Sequence, residues 1–270
     1  MLGKLIKHEF KDTIRLFWPI FSLIVVLTPL FAFLMKLGSN GIFSSYEEQN
    51  GLNLTYALQG GLIGYYLLLV GLFLGCQIMM ALRFYRTIAT NEAYLTFTLP
   101  TSTGKILFSK WLIAMLYYIV SGILAFFSIL FTIIVVTPAT FKEIVQTFED
   151  FILNIDIDSF SLLSLVALVF IVSGAAKILQ FYVSIVLGQL FRSHRAIISI
   201  GFYIALSVVL QIVSSLVLLP VIYFNFLDGL PSSDYIIHSF LLILILFNAV
   251  LAGGFYFTTY LIIRKRLNVR

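Results

Sequence analysis

Six apolar segments, each longer than the roughly 20 residues that cross a bilayer, constrain this chain more than any other feature. Backbone groups in hydrocarbon must satisfy one another, so segments of this length are helices. The predicted spans cover residues 16–36, 57–82, 111–137, 161–190, 197–224 and 237–263. The chain is 61% hydrophobic and 11% charged, whereas a soluble domain carries about 25% charged residues. We therefore predict one all-α integral membrane domain over residues 1–270.

Residues 1–15, ahead of the first span, have the pattern of an amphipathic helix. The apolar face of this helix would carry Leu2, Leu5, Ile6, Phe10 and Ile14. The basic side would carry Lys4, Lys7, Lys11 and Arg15. Such a helix lies in the membrane interface, with its basic side toward anionic headgroups. A signal peptide is the alternative, but the following apolar run is about twice too long and lacks a suitable cleavage site.

Basic and acidic residues are sorted to opposite sides of the predicted spans. All but three of the 17 basic residues lie in the N-terminal segment, the loops after the second and fourth spans, and the tail. The exceptions are Lys36, Lys142 and Lys177. Nine of the 12 acidic residues lie on the other side. Because cytoplasmic loops are rich in Lys and Arg, we predict that both termini are cytoplasmic. Topology then explains the net charge of +5 without nucleic-acid binding.

Signatures of catalysis are missing from the sequence. Gly104–Lys105 resembles the end of a phosphate-binding loop, but Leu99 replaces the first glycine and Ile106 follows the lysine. A lone Cys76 cannot make a metal site. The histidines are scattered over both predicted sides of the membrane, at His8, His194 and His238. We therefore predict no catalytic residue, no bound metal and no cofactor in this chain, which would not be an enzyme.

Lys177 is the only basic residue deep within a predicted span, and Gln180 follows one turn later. Intramembrane charges are costly and mark functional sites by default. Lys177 and Gln180 are therefore candidates for a substrate pathway that handles an acidic or carbonyl-bearing compound. Alternatively, Lys177 snorkels along a water-lined cavity, contacts a partner subunit, or pairs with Gln77 or Gln211.

Four glycines repeat at spacings of four and seven along the second span, where they would form a stripe of small residues. They are Gly60, Gly64, Gly71 and Gly75. Such a stripe lets helices approach closely. It indicates either packing within the chain, which we favour, or contact between two copies.

The basic loop between the second and third spans, residues 83–110, can hold a short helix. Thr90 or Asn91 can cap it, with Glu92 in the first turn, and Pro100 ends it. Residues 101–103 offer a second cap for the next span. The aromatic and aliphatic side chains of the short helix would either dip into the headgroups or fill a groove on a cytosolic partner.

The run RFYRTIATNEAYLTFTLPTSTGKILFSKW, residues 83–111, resembles the first cytoplasmic loop of ABC-2 type permeases of Gram-positive bacteria. The shared features are a basic and aromatic exit, an acidic residue before an aromatic one, TLP before Ser or Thr, and a lysine entering the next span. The segments KLIKHEFK and GQLFRSHR are similar to that family too. Lys177 is not part of the family's pattern.

The resemblance implies a coupling helix that docks into a separate ATP-binding subunit. Its candidate contacts would be Glu92, Tyr94, Leu95, Phe97 and Leu99. ATP and magnesium would bind to that ATPase, and two permease chains, identical or sisters, would pair in the bacterial plasma membrane. The cargo implied is an exported amphipathic peptide, antibiotic or lipid-like compound.

Two other functions are open at this point. A non-transporting sensor or immunity protein could bind such a peptide without moving it. A secondary transporter would usually show inverted repeats and broken helices, and neither is evident in the sequence.

Overall fold

The computed structural model describes residues 2–39, 54–89, 102–136, 157–191, 194–227 and 233–266, with positions 143 and 146. Six long α-helices lie in these described ranges. They are α1 (Leu2–Ser39), α2 (Leu54–Ala89), α3 (Thr103–Val136), α4 (Ile157–Gly188), α5 (Arg195–Leu227) and α6 (Ser233–Arg266). Each contains a segment long and apolar enough to cross a membrane. This confirms the all-α prediction and indicates a multi-pass membrane protein.

The helices on either side of the basic loop extend beyond the predicted spans. α2 continues to Ala89 and α3 begins at Thr103, so each adds about 10 Å of helix to the apolar segment. The amides of Lys105 and Ile106 donate to the Ser102 carbonyl at 3.0 and 3.3 Å, which places Ser102 at the predicted N-cap. The predicted loop 83–110 is therefore helical at both ends. Arg83 and Lys110 therefore do not lie at the ends of their helices.

The N-terminal segment and the first span form one uninterrupted helix, α1, with Pro19 and Pro29 inside it. The residues of α1 that are buried follow one stripe: Thr13, Phe17, Ile24, Thr28, Ala32 and Met35. Phe10 and Ile14, from the predicted interfacial face, are exposed. The buried stripe of α1 packs against other helices. The exposed apolar residues Phe10 and Ile14 lie on a different side of the same helix.

The chain divides into two compact units, each described by itself. The first unit contains Met1–Glu9, Met80–Leu116 and Asp156–Arg270, and the second contains Phe10–Met79 and Tyr117–Ile155. In the first unit α4 packs along both α5 and α6. The buried residues of α4 are concentrated between positions 174 and 188, so α4 is the central helix of that unit.

The second unit is organised around the buried hydroxyl of Tyr65. This hydroxyl hydrogen-bonds the Ser128 hydroxyl and accepts a hydrogen bond from Thr132 at 3.1 Å. Thr28 and Ser128 share a hydrogen bond of 2.6 Å, and the Phe31 ring stacks on Tyr65 with centroids 4.7 Å apart. Polar groups buried among apolar helices satisfy one another here, which avoids the cost of leaving them unpaired.

The predicted packing role of the glycine stripe on α2 is wrong. A Cβ atom added to any of its members would meet no atom of the described residues within 4 Å. The members are Gly60, Gly64, Gly71 and Gly75. The alternative, contact between two copies, stays a prediction.

A close approach that does require glycine occurs where α4 meets α5. A Cβ on Gly188 would collide with the Ser199 hydroxyl and lie 2.9 Å from the Arg195 carbonyl oxygen. α5 then begins directly after His194, whose φ of 49° lies in the left-handed region and whose carbonyl accepts from the Ile198 amide at 3.0 Å. The two helices therefore meet at a tight corner.

Candidate functional site

The predicted site residues fall into two groups in the structure. Lys177 and Gln180 lie on α4, one turn apart. The five predicted ATPase contacts lie outside the described residues: Glu92, Tyr94, Leu95, Phe97 and Leu99. What the structure does describe on that side is the pair of helix ends from which residues 90–101 depart.

Those helix ends meet in a charge cluster formed by Glu9, Arg83 and Lys110. The Glu9 carboxylate contacts the Arg83 guanidinium at 2.9 Å and the Lys110 ammonium at 2.5 Å. Arg83 also donates to the main-chain oxygen of Glu9 at 3.0 Å. The side chains of Glu9, Arg83 and Lys110 are only 15%, 19% and 7% exposed. One carboxylate on α1 therefore joins the end of α2 to the start of α3.

The same helix ends pack on α4. The Phe84 ring lies parallel to the Tyr182 ring, with centroids 3.6 Å apart and 5° between the planes. The Tyr182 hydroxyl donates to the main-chain oxygen of Lys110 at 3.2 Å. Both rings are buried. Tyr182 therefore contacts α2 and α3 at once, from a position five residues beyond Lys177.

The start of α3 also packs on α6. The Tyr256 hydroxyl donates to the Gly104 carbonyl at 3.4 Å. A Cβ on Gly104 would lie 3.5 Å from the Tyr260 ring, an ordinary van der Waals contact. α3 is thus held against two helices of the same unit, α4 and α6.

A cavity of about 340 Å³ lies between α4, α5 and α6. Leucine and phenylalanine side chains from α5 and α6 make much of its wall. Its polar lining consists of Lys177, Gln180, Ser207, Gln211, Ser214 and Asn248. This is the mixture typical of a ligand pocket, with an apolar wall and a few polar groups that fix orientation.

A chain of hydrogen bonds crosses the cavity from α4 to α5. The Lys177 ammonium donates to the Gln180 side-chain oxygen at 3.3 Å. The Gln180 amide donates to the Ser207 hydroxyl at 2.8 Å, and that hydroxyl donates to the Tyr203 carbonyl at 2.8 Å. Among the described residues, Lys177 therefore hydrogen-bonds Gln180, while Gln211, one of the two predicted partners, lines the same cavity.

Several site residues were not singled out in the sequence, among them Glu9, Tyr182, Ser207 and Asn248. Glu9 did carry a signal, because it is one of the few acidic residues on the predicted basic side. Ser207 and Asn248 are polar residues inside long apolar runs, which is also a signal. These sequence features mark the residues as unusual, but they do not predict which helices contact one another.

Lys177 is the charged residue of this lining, and its ammonium has three N–H donors and no acceptor. Such a lining suits carboxylate, phosphate or carbonyl oxygens better than a metal ion. Over the described ranges, no three His, Cys, Asp or Glu side chains are grouped as a metal site requires. No protein-family model, curated protein or solved structure matches the chain.

Proposed function

We propose that this chain is the membrane-spanning permease subunit of an ATP-driven ABC transporter that exports an amphipathic peptide, antibiotic or lipid-like compound. ATP and magnesium bind to a separate ATPase subunit, and two permease chains pair in the bacterial plasma membrane with both termini in the cytoplasm. The resemblance of residues 83–111 to ABC-2 permeases suggests this function, and the packing of the first unit supports it.

The observation that carries the proposal is the contact of both helix ends with α4. Phe84 and the Lys110 carbonyl both contact Tyr182, and Tyr182 lies on the helix that presents Lys177 to the cavity. A displacement applied to residues 90–101 would thus reach the cavity through packed side chains.

The charge cluster of Glu9, Arg83 and Lys110 would help to pass such a displacement on to α4. Because Glu9 binds both Arg83 and Lys110, the ends of α2 and α3 move together when either is pushed. Closure of the ATPase subunits would then shift α2 and α3 as one body and bias the helices between inward-open and outward-open arrangements. No bond is made or broken within this chain.

The proposal is tested with the double variant Glu92→Ala/Phe97→Ala and an ABC ATPase subunit from the same organism. Both proteins are co-expressed, the permease is purified through a tag, and the retained ATPase and its hydrolysis rate are measured. We expect the retained ATPase to fall at least about tenfold, since the double variant loses one charge and one aromatic side chain of the type that anchors interfaces.

A matched control is Glu143→Ala/Phe160→Ala, which removes the same residue types from exposed positions on the predicted outer side. The control should retain the ATPase at the level of the unmodified chain. Normal assembly and unchanged hydrolysis in the Glu92/Phe97 variant would count against the coupling role and hence against the proposed function.

A further inference from the structure

We infer that the cavity between α4, α5 and α6 binds the single anionic group of a one-chain amphiphile, with Lys177 as the counterion. The inference rests on the proposed function for its place in transport, because it names the class of compound that the permease would carry. Binding itself would take place in this chain alone.

The charge of the ligand follows from what surrounds Lys177. In the part of the chain that the structure describes, its ammonium has one hydrogen-bond partner, the neutral Gln180 side chain, and no Asp or Glu lines the cavity. Two of its three N–H donors remain for a ligand. Lys177 is exposed on the chain, so a ligand can reach its ammonium, which gains most from an ionised oxygen because charge-assisted hydrogen bonds are the strongest.

The orientation of the site is set before any ligand enters. The buried Gln180 side chain is fixed by its bond to Ser207, and it holds the Lys177 ammonium from one side. The Phe181 ring stacks on Tyr203 with centroids 4.3 Å apart, which joins α4 to α5 beside this bond. The Gln180 side chain loses little freedom when a ligand binds beside it, which favours affinity.

The apolar part of the ligand follows from the wall and the volume of the cavity. Side chains such as Leu210, Leu218, Leu244 and Phe247 face the cavity alongside the polar groups. Its volume of about 340 Å³ is near the small end of the range for ligand pockets, roughly 300–1,000 Å³. It therefore suits one anionic group with the first part of one chain, and not a lipid with two acyl chains.

The depth of Lys177 in the bilayer distinguishes this site from a surface contact with lipid headgroups. Lys177 and Ser207 lie about 16 and 18 Å along their helices from Gly188 and Arg195, at 1.5 Å per residue. Both positions are near the middle of a hydrocarbon layer about 30 Å thick. The headgroups of surrounding anionic phospholipids rest at the surface of that layer, so they do not reach the ammonium. The anionic group of the ligand must therefore leave the headgroup layer to reach Lys177.

The test uses dodecanoate that carries a diazirine close to its carboxylate, with the full-length protein in phosphatidylcholine nanodiscs. After illumination, labelled peptides are identified by mass spectrometry, and dodecanoate, dodecyl phosphate and dodecanol are compared as competitors. We expect labels on the cavity segments of α5 and α6, displaced by both anions and not by the alcohol.

Three variants resolve the role of Lys177. Lys177→Met should lower the specific label about tenfold or more, the effect of losing a charge-assisted hydrogen bond. Lys177→Arg should retain it, and Lys265→Met, which removes the same charge from an exposed position on α6, should leave it unchanged. If Lys177→Met fails to fold, Lys177→Arg and the competitors still decide.

Equal displacement by dodecanol, an unchanged label in folded Lys177→Met, or displacement by phosphatidylglycerol nanodisc lipid would overturn the inference. The last result would identify the occupant as annular lipid. The experiment contains no ATPase, so a negative result leaves ATPase recruitment intact, and failed recruitment leaves binding intact.

Discussion

Replacement of Glu9 by Gln is the sharpest test of how the first unit is held together. The variant removes the one carboxylate that contacts both Arg83 and Lys110 and leaves two cations close together. An exposed ion pair contributes at most about 1 kcal/mol, whereas removing one partner of a buried pair costs about 3–5 kcal/mol.

The exposed fractions of the three side chains decide whether the exposed-pair or the buried-pair cost applies. Lys110 is 7% exposed and Glu9 is 15% exposed, so the cluster is closer to the buried case, and some water still reaches it. We therefore expect Glu9→Gln to lower the free energy of unfolding by about 2–4 kcal/mol. Lys110→Met should cost less, because Glu9 would keep its contact with Arg83.

Unfolding is followed in mixed micelles by titration with sodium dodecyl sulfate and tryptophan fluorescence, since Trp111 adjoins Lys110 in the sequence. The matched control is Asp12→Asn, the same change at an exposed position on α1, which should cost less than about 1 kcal/mol. If Glu9→Gln unfolds within about 0.5 kcal/mol of the control, the reasoning from desolvation is refuted.

Two further substitutions test packing by the same unfolding titration. Gly188→Ala should lower the free energy of unfolding by about 2 kcal/mol or more, because its Cβ would overlap Ser199. Gly201→Ala, whose Cβ would meet no described atom within 4 Å, should be neutral or slightly stabilising. Equal effects would contradict the tight corner. Tyr65→Phe should lower the free energy of unfolding by about 1–3 kcal/mol, because the buried hydroxyls of Ser128 and Thr132 lose their partner. The control is Tyr66→Phe, the same change at the exposed neighbouring residue. A Tyr65→Phe variant as stable as that control would show that the hydroxyl cluster contributes nothing to stability.

The spans could be predicted because length and apolarity are local properties of a sequence. Helix ends at the basic loop could not, because a helix can continue into the polar layer once its own hydrogen bonds are satisfied. Arg83 was predicted to end the second span, yet the helix that carries it continues to Ala89.

The candidate site was only partly predictable, because it depends on contacts between distant parts of the chain. Lys177 and Gln180 were found because a charge inside an apolar run is visible locally. Glu9 and Arg83 are 74 residues apart, and only the fold brings them together. The glycine stripe on α2 gave the opposite result: its spacing suggested packing within the chain, but no neighbour in the described part of the structure uses the space.

The tight corner at Gly188 bears on the order in which the chain enters the bilayer during synthesis. α4 emerges with Lys177 and Gln180 together, but Ser207 follows Gln180 by 27 residues, which a ribosome adds in about 1–5 s. Because the corner lets α4 and α5 leave the translocon as one hairpin, the hydrogen bonds from Lys177 through Gln180 to Ser207 can form before Lys177 contacts lipid. Insertion of a bare lysine at mid-membrane costs about 2.5–3.5 kcal/mol, so lengthening this corner should slow membrane integration of α4.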